Sequence, residues 1–251
     1  MNSFFFRILL FPAYLLAHLL LSRLFPGRGD LLAAGSFIIL IIALETTVYR
    51  EDTALETPEV PSLFLAMAAG FSFSLALLFL MEAAVPHSRI LASLESVSDL
   101  CLSENASLLW VLTCFILLPL AEELVFRAGL QNALEQRYGL PASAAASVLA
   151  FCFFGLIRDG SAGLFFCFFT GILASLFFVL YGNAWVSACA HIGCSIALAF
   201  LYLRFFLSPA ALSAAAGISF LSAAALIFHA CRSLREEEEQ EENEEEEAEE
   251  E

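Results

Sequence analysis

The sequence predicts an all-α, polytopic membrane protein with about eight transmembrane helices. Three observations lead there. Of 251 residues, 60% are hydrophobic and only 15% are charged, where a soluble domain is nearer half and a quarter. Apolar runs close to the roughly 20 residues that cross a bilayer recur along the chain, at Phe4–Leu21, Leu31–Val48, Leu63–Val85, Ser107–Leu130, Pro141–Ile157, Leu164–Tyr181, Ala184–Phe206 and Ala210–Ala230. Most charges lie in loops, near helix ends or in a terminal block.

The first run, MNSFFFRILLFPAYLLAHLLLSRLF, has one early Arg and no small-residue cleavage site behind it, so it reads as an uncleaved helix. FPGRGD then supplies Pro and Gly turn chemistry, and REDTALETPEVP is an acidic, aqueous loop. In HSRILASLESVSDLCLS, Ile90, Leu94, Val97 and Cys101 recur at spacings of four, three and four. That pattern suits a short amphipathic helix, serving as a connector or as a lid beside a cavity. Asn105-Ala106-Ser107 matches a glycosylation triplet, a short pattern whose meaning depends on compartment.

The organisation that follows is an N-terminal set of helices with the amphipathic linker (1–106), a central core (107–203), a last transmembrane helix (204–235) and a disordered acidic tail (236–251). The formal net charge of −16 belongs mostly to that tail, EEEEQEENEEEEAEEE, which holds 13 of the 27 acidic residues. Without it, 14 acids face 11 basic residues, all of them Arg. A like-charge block repels itself and stays solvated, and it can take a basic partner. No nucleic-acid partner is expected. The seven cysteines fall mostly in apolar runs, as small hydrophobes do. Neither they nor the four histidines form a cluster that would hold zinc, so no cofactor is predicted. Arg residues in short loops tie at five a side; Arg232 and Arg235 beyond the last helix favour cytoplasmic termini. The expected location is a bacterial inner membrane.

The chemistry-bearing stretch is AEELVFRAGL, Ala121 to Leu130, which follows LLWVLTCFILLPL directly. Glu123 and Arg127 are four apart and can pair on one helix face. Glu122 is rotated about 100° from its neighbour and has no local partner, which suits a general base. Downstream, FCFFGLIRDG ends an apolar helix on Arg158 and Asp159, and NAWVSACAHIGCSIALAF holds His191 with Ser195 one turn on. Imidazole and hydroxyl on one face can hold developing negative charge. A helical-glue role for Glu123–Arg127, a packing role for His191 and a simple charged helix end at Arg158 are the bland alternatives. Ionisable groups on three successive membrane helices favour a site.

With these motifs the chain resembles the CPBP intramembrane proteases, also called the type II CAAX prenyl endopeptidase or Abi family, whose pattern is EExxxR, FxxxH, then HxxxN or HxxxD. The first is intact at Glu122-Glu123-Leu124-Val125-Phe126-Arg127. The second falls on Phe154-Gly155-Leu156-Ile157-Arg158, and the third on His191-Ile192-Gly193-Cys194-Ser195. Arg137-Tyr138-Gly139, Phe169-Thr170-Gly171 and Tyr181-Gly182-Asn183-Ala184-Trp185 flank them in order, so the resemblance covers Ser107 to Leu203. It implies helices enclosing an intramembrane cavity, and an endopeptidase that cleaves membrane-embedded or prenylated peptides with a glutamate-activated water. By the resemblance Glu122 is the base, Glu123 and Arg127 the supporting pair and His191 an oxyanion donor. Two positions depart. Arg158 stands where the family has His, and a guanidinium cannot accept a proton; if it reaches Glu122 it makes that carboxylate a weaker base. Ser195 stands for Asn or Asp, with a shorter reach and one donor. Catalysis at Glu122 with Arg158 as an electrostatic clamp, or impaired hydrolysis, are both consistent with that pattern. A non-catalytic member binding a membrane peptide or lipidated tail is the alternative. A solute transporter is a second, against which no pair of Gly/Pro-broken helices at matching places stands out.

Overall fold

The computed structural model describes residues 3–25, 28–47, 53–86, 88–102 and 107–250. Among these the regular elements are all helices: α1 (Ser3–Leu24), α2 (Gly29–Thr47), α3 (Val60–Ala84), α4 (Arg89–Leu102), α5 (Leu108–Tyr138), α6 (Leu140–Tyr181), α7 (Ala184–Ala199) and α8 (Pro209–Glu250), with 3₁₀ turns at Thr53–Leu55 and Leu201–Phe206. Five are long and apolar enough to cross a membrane, namely Phe4–Leu24, α3, α5, α6 and Pro209–Glu236; Leu31–Ala43 and Ala184–Ala199 are shorter apolar helices. The all-α polytopic membrane architecture read from the sequence is the one the chain adopts. Large apolar side chains point outward, Ile39 at 72% and Phe206 at 82% exposure, as a surface solvated by lipid requires.

Helix α6 has 42 residues, about 63 Å if straight and twice the hydrocarbon core. Gly160 divides it. Its φ of 67° and ψ of −144° lie in a region essentially reserved for glycine, and the chain folds back there into limbs 140–159 and 161–181. The limbs pack closely because Gly155 faces the Gly163 carbonyl and Cys167, where a Cβ would collide. Counting limbs, the described residues hold eight apolar helical segments, as expected. The turn is tighter than the expected loop between Ile157 and Leu164.

Helix ends follow local chemistry. Gly182 closes α6 in the left-handed conformation (φ 59°). Asn183 then caps α7, its Oδ1 accepting from the Trp185 and Val186 amides at 2.9 and 3.4 Å. Asn183 Nδ2 and Trp185 Nε1 donate to the carbonyls of Glu56 and Leu55 at 2.8 and 3.2 Å, tying this junction to the α2–α3 loop. Helix α5 contains two wider, π-helical stretches, Thr113–Leu117 and Leu124–Gln131, a feature frequent at functional sites. It runs to Tyr138, eight residues past the expected end, and stops at Gly139 (φ 78°).

Two expectations differ from what is found. The run Ala184–Phe206 is not one helix: α7 ends at Ala199, Phe200 adopts φ −91° and ψ 1°, and a 3₁₀ turn follows. No Gly or Pro marks that break; its physical partner is tertiary. The turn places Arg204 against Glu82 of α3 at 3.2 Å and Glu95 of α4 at 2.5 Å. The acidic run 236–250 continues α8 as helical backbone where a disordered tail was expected; Glu is a good helix former. Asn105 and Ala106 of the glycosylation triplet, and His87, lie outside the described residues.

Arg204 clasps α4 to α3. Replacing Arg204 with Ala is expected to leave two carboxylates facing each other and to speed amide hydrogen exchange in residues 89–95 several-fold. Unchanged exchange there would mean that apolar contacts from Leu91 and Leu94, both buried, suffice alone.

Helices α3 and α7 touch backbone to backbone. Gly70 lies against the Ala190 carbonyl and Gly193 against that of Met67, with no room for a Cβ at either. Small residues permit such approach in membrane bundles.

Candidate active site

Glu122 and Glu123 lie where α5 passes into its second π-helical stretch, and both are buried, at 1% and 0% exposure. Glu123 pairs with Arg127 as the four-residue spacing predicts: Nε donates to Oε2 at 2.9 Å. Three more of the five guanidinium hydrogens are engaged. Nη1 donates to Ser147 Oγ at 2.6 Å and Gln131 Oε1 at 3.3 Å, and Nη2 to the Gly171 carbonyl at 3.0 Å. Arg127 thus joins α5 to both limbs of α6, and no charge is left bare.

Glu123 also binds α7. Ser187 Oγ lies 2.7 Å from Glu123 Oε2 and 2.8 Å from the Ala174 carbonyl, sharing one hydrogen between them. His191 Nδ1 lies 3.0 Å from Glu123 Oε1. With Nδ1 anchored, the ring presents Nε2 to Glu122 Oε2, 3.7 Å away. Phe151 and Phe166 of α6 flank the imidazole, with centroids at 5.4 and 6.3 Å.

Glu122 has a partner that its own helix does not supply. Arg158, at the tip of the first α6 limb, donates from Nη1 to Glu122 Oε1, while its Nε donates to Asp159 Oδ2 at 2.6 Å. The guanidinium rests on the Phe154 ring, 5.2 Å from the centroid. Glu122, Arg158, Asp159, His191 and Ser195 all face one cavity of about 190 Å³. Its apolar wall comes from Trp110, Phe115 and Leu118 of α5, from Phe166 and from Leu94 of α4, with Ser93 beside it.

Residues 104–197 match the family model described as type II CAAX prenyl endopeptidase, Rce1-like. This segment, a little over a third of the chain, is similar to that family's domain. No curated protein and no solved structure matches the chain. The match supports a CAAX protease-like function within the membrane, and its bounds lie close to the core 107–203 read from the sequence. All six candidate residues, Glu122, Glu123, Arg127, Arg158, His191 and Ser195, fall inside the matched segment. Five of them join one hydrogen-bond and ion-pair network; Ser195 lines the cavity beside it.

Several residues of this site went unread in the sequence. Ser187 is one turn before His191 and is wholly buried; a small polar residue there is a weak signal among so many serines. Ser147 and the Gly171 carbonyl hold Arg127 across 20 and 44 positions, which no local spacing reveals, while Gln131 lies one turn on in the same helix. Among the described residues, His18 and His229 do not line the cavity. His18 packs edge-on against Phe154 at 5.4 Å. His229 is exposed and lines a separate surface pocket of about 400 Å³ with Glu56, Glu59 and Tyr181. Among the described residues His191 is the histidine that lines this cavity.

Proposed function

We propose that the chain is an intramembrane endopeptidase that takes a membrane-anchored or prenylated peptide into the 190 Å³ cavity and hydrolyses one amide bond. One observation carries this reading: an acid, an imidazole, a guanidinium and a hydroxyl from three helices converge on that space. Glu122 Oε2 and His191 Nε2, 3.7 Å apart, are close enough for a single water to touch both. The walls of Trp110, Phe115 and Leu118 suit an apolar chain, and Ser93 and Leu94 of α4 complete the lining.

The ion pair between Arg158 and Glu122 favours a second reading. Arg158 occupies Glu122 Oε1 and cannot itself take up a proton, so a domain of this form can bind a membrane peptide without cutting it. Purified protein in liposomes, offered a pool of prenylated and other membrane-anchored peptides, separates the two. The peptidase reading expects release by the wild type and a fall of at least tenfold in Glu122→Gln. Silence from the wild type with release by Arg158→His establishes the binding reading instead, because an imidazole at that position accepts a proton and a guanidinium does not. The alternative of a solute transporter expects neither.

A further inference from the structure

We propose that, within the peptidase reading above, His191 is the general base and Arg158 the oxyanion donor. This reverses the assignment that the family resemblance implies. The argument starts at Glu123, whose Oε2 already accepts from Arg127 and faces the Ser187 hydroxyl. Fully buried beside a guanidinium, Glu123 is a compensated carboxylate, an acceptor without a proton to give. The imidazole nitrogen facing its Oε1 at 3.0 Å, Nδ1, is therefore the one that carries hydrogen. A neutral imidazole has one N–H, so Nε2 keeps its lone pair, and Nε2 is the atom aimed at Glu122 and the cavity. A lone pair there can take a proton from water. It cannot donate to an oxyanion.

Arg158 complements that loss. Its Nη1 is engaged by Glu122 and its Nε by Asp159, while Nη2 has no hydrogen-bond partner among the described residues. The side chain is 19% exposed and lines the cavity. A permanent cation with free N–H groups beside the reacting carbonyl is suited to the charge that develops on oxygen. Glu122 then serves to hold Arg158 and to orient the water, and Glu123 is a positioning residue that fixes the tautomer of His191 as the buried carboxylate of a Ser-His-Asp triad does.

The step balances with water as co-reactant. The water oxygen bonds to the scissile carbonyl carbon as its proton passes to His191 Nε2, and the carbonyl π pair moves onto oxygen, where the Arg158 Nη2 hydrogens meet it. The carbon–nitrogen bond then breaks, Nε2–H protonates the leaving nitrogen, and a carboxylic acid and an amine depart. Glu123 remains ionised throughout and stabilises the transient imidazolium.

Two measurements on the full-length protein test this. Nitrogen-15 NMR of histidine-labelled protein in micelles, with His191→Asn to assign the signal, is expected to show Nδ1 protonated and Nε2 bare, and Glu123→Gln to abolish that preference. A protonated Nε2 in the neutral ring overturns the proposal. In the liposome release assay, Asn at 191 keeps a hydrogen-bond donor but cannot act as base. The proposal expects His191→Asn to lower kcat by roughly 10²–10⁴, and Arg158→Gln by about 10²–10³ with little change in KM. Release by His191→Asn within tenfold of wild type overturns the role of His191 and leaves the peptidase reading standing. No release by the wild type from any peptide overturns that reading, and this proposal with it.

Discussion

Arg127→Leu is expected to lose about 3–5 kcal/mol of stability, the usual cost of removing one partner of a buried ion pair. The site explains why the loss is so large. Arg127 is 0% exposed, and its removal leaves the Glu123 carboxylate uncompensated while stripping a donor from the Gly171 carbonyl and from Gln131. Thermal unfolding in detergent reads it directly. The companion variant Glu123→Leu/Arg127→Leu is expected to recover much of the loss, because replacing both charges by apolar groups removes the orphaned ion. If Arg127→Leu melts with the wild type, the pair serves only the chemistry. Arg127→Lys is expected to fall between, since an ammonium cannot reproduce the planar fork that reaches Glu123, Ser147 and Gly171 together.

Gly70→Val is the second large effect. The new side chain would enter the space held by the Ala190 backbone, so α3 and α7 must separate. Overpacking of this kind costs about 1–3 kcal/mol. Activity is expected to suffer more than stability, roughly 10²-fold, because a misplacement of about 1 Å at His191, the next residue, is enough to cost that much. Gly217→Ala is the control: nothing lies within 4 Å of its Cβ position, and its melting temperature and peptide release should match the wild type. Equal behaviour of Gly70→Val and Gly217→Ala in both measurements would refute the idea that α3 sets the position of the imidazole.

How far the sequence disclosed these features depends on the range of each interaction. The spans and the Glu123–Arg127 pair follow from helix periodicity, which needs only neighbours three or four positions away. The amphipathic face of α4 was legible for the same reason: Leu94 is buried and Ile90 half-buried, with Leu91 buried beside them. The partner of Glu122 was not legible, since it lies 36 positions on and its approach depends on how sharply Gly160 turns. The sequence permitted Arg158 to meet Glu122 without requiring it. Equally hidden was the end of α7 at Ala199, where an inward Arg204 and two carboxylates from other helices replace the Gly or Pro that ordinarily ends a helix.

The hairpin of α6 has a geometric consequence for any peptide cut here. Each limb is about 20 residues, hence about 30 Å long, the thickness of the hydrocarbon layer. A limb that starts at one boundary of that layer is long enough to bring its tip, Arg158 and Asp159, to the other. The hairpin acts as a ruler. In the proposed reaction it would hold the bond to be cleaved at the level of the polar boundary, with an attached lipid tail left among the acyl chains.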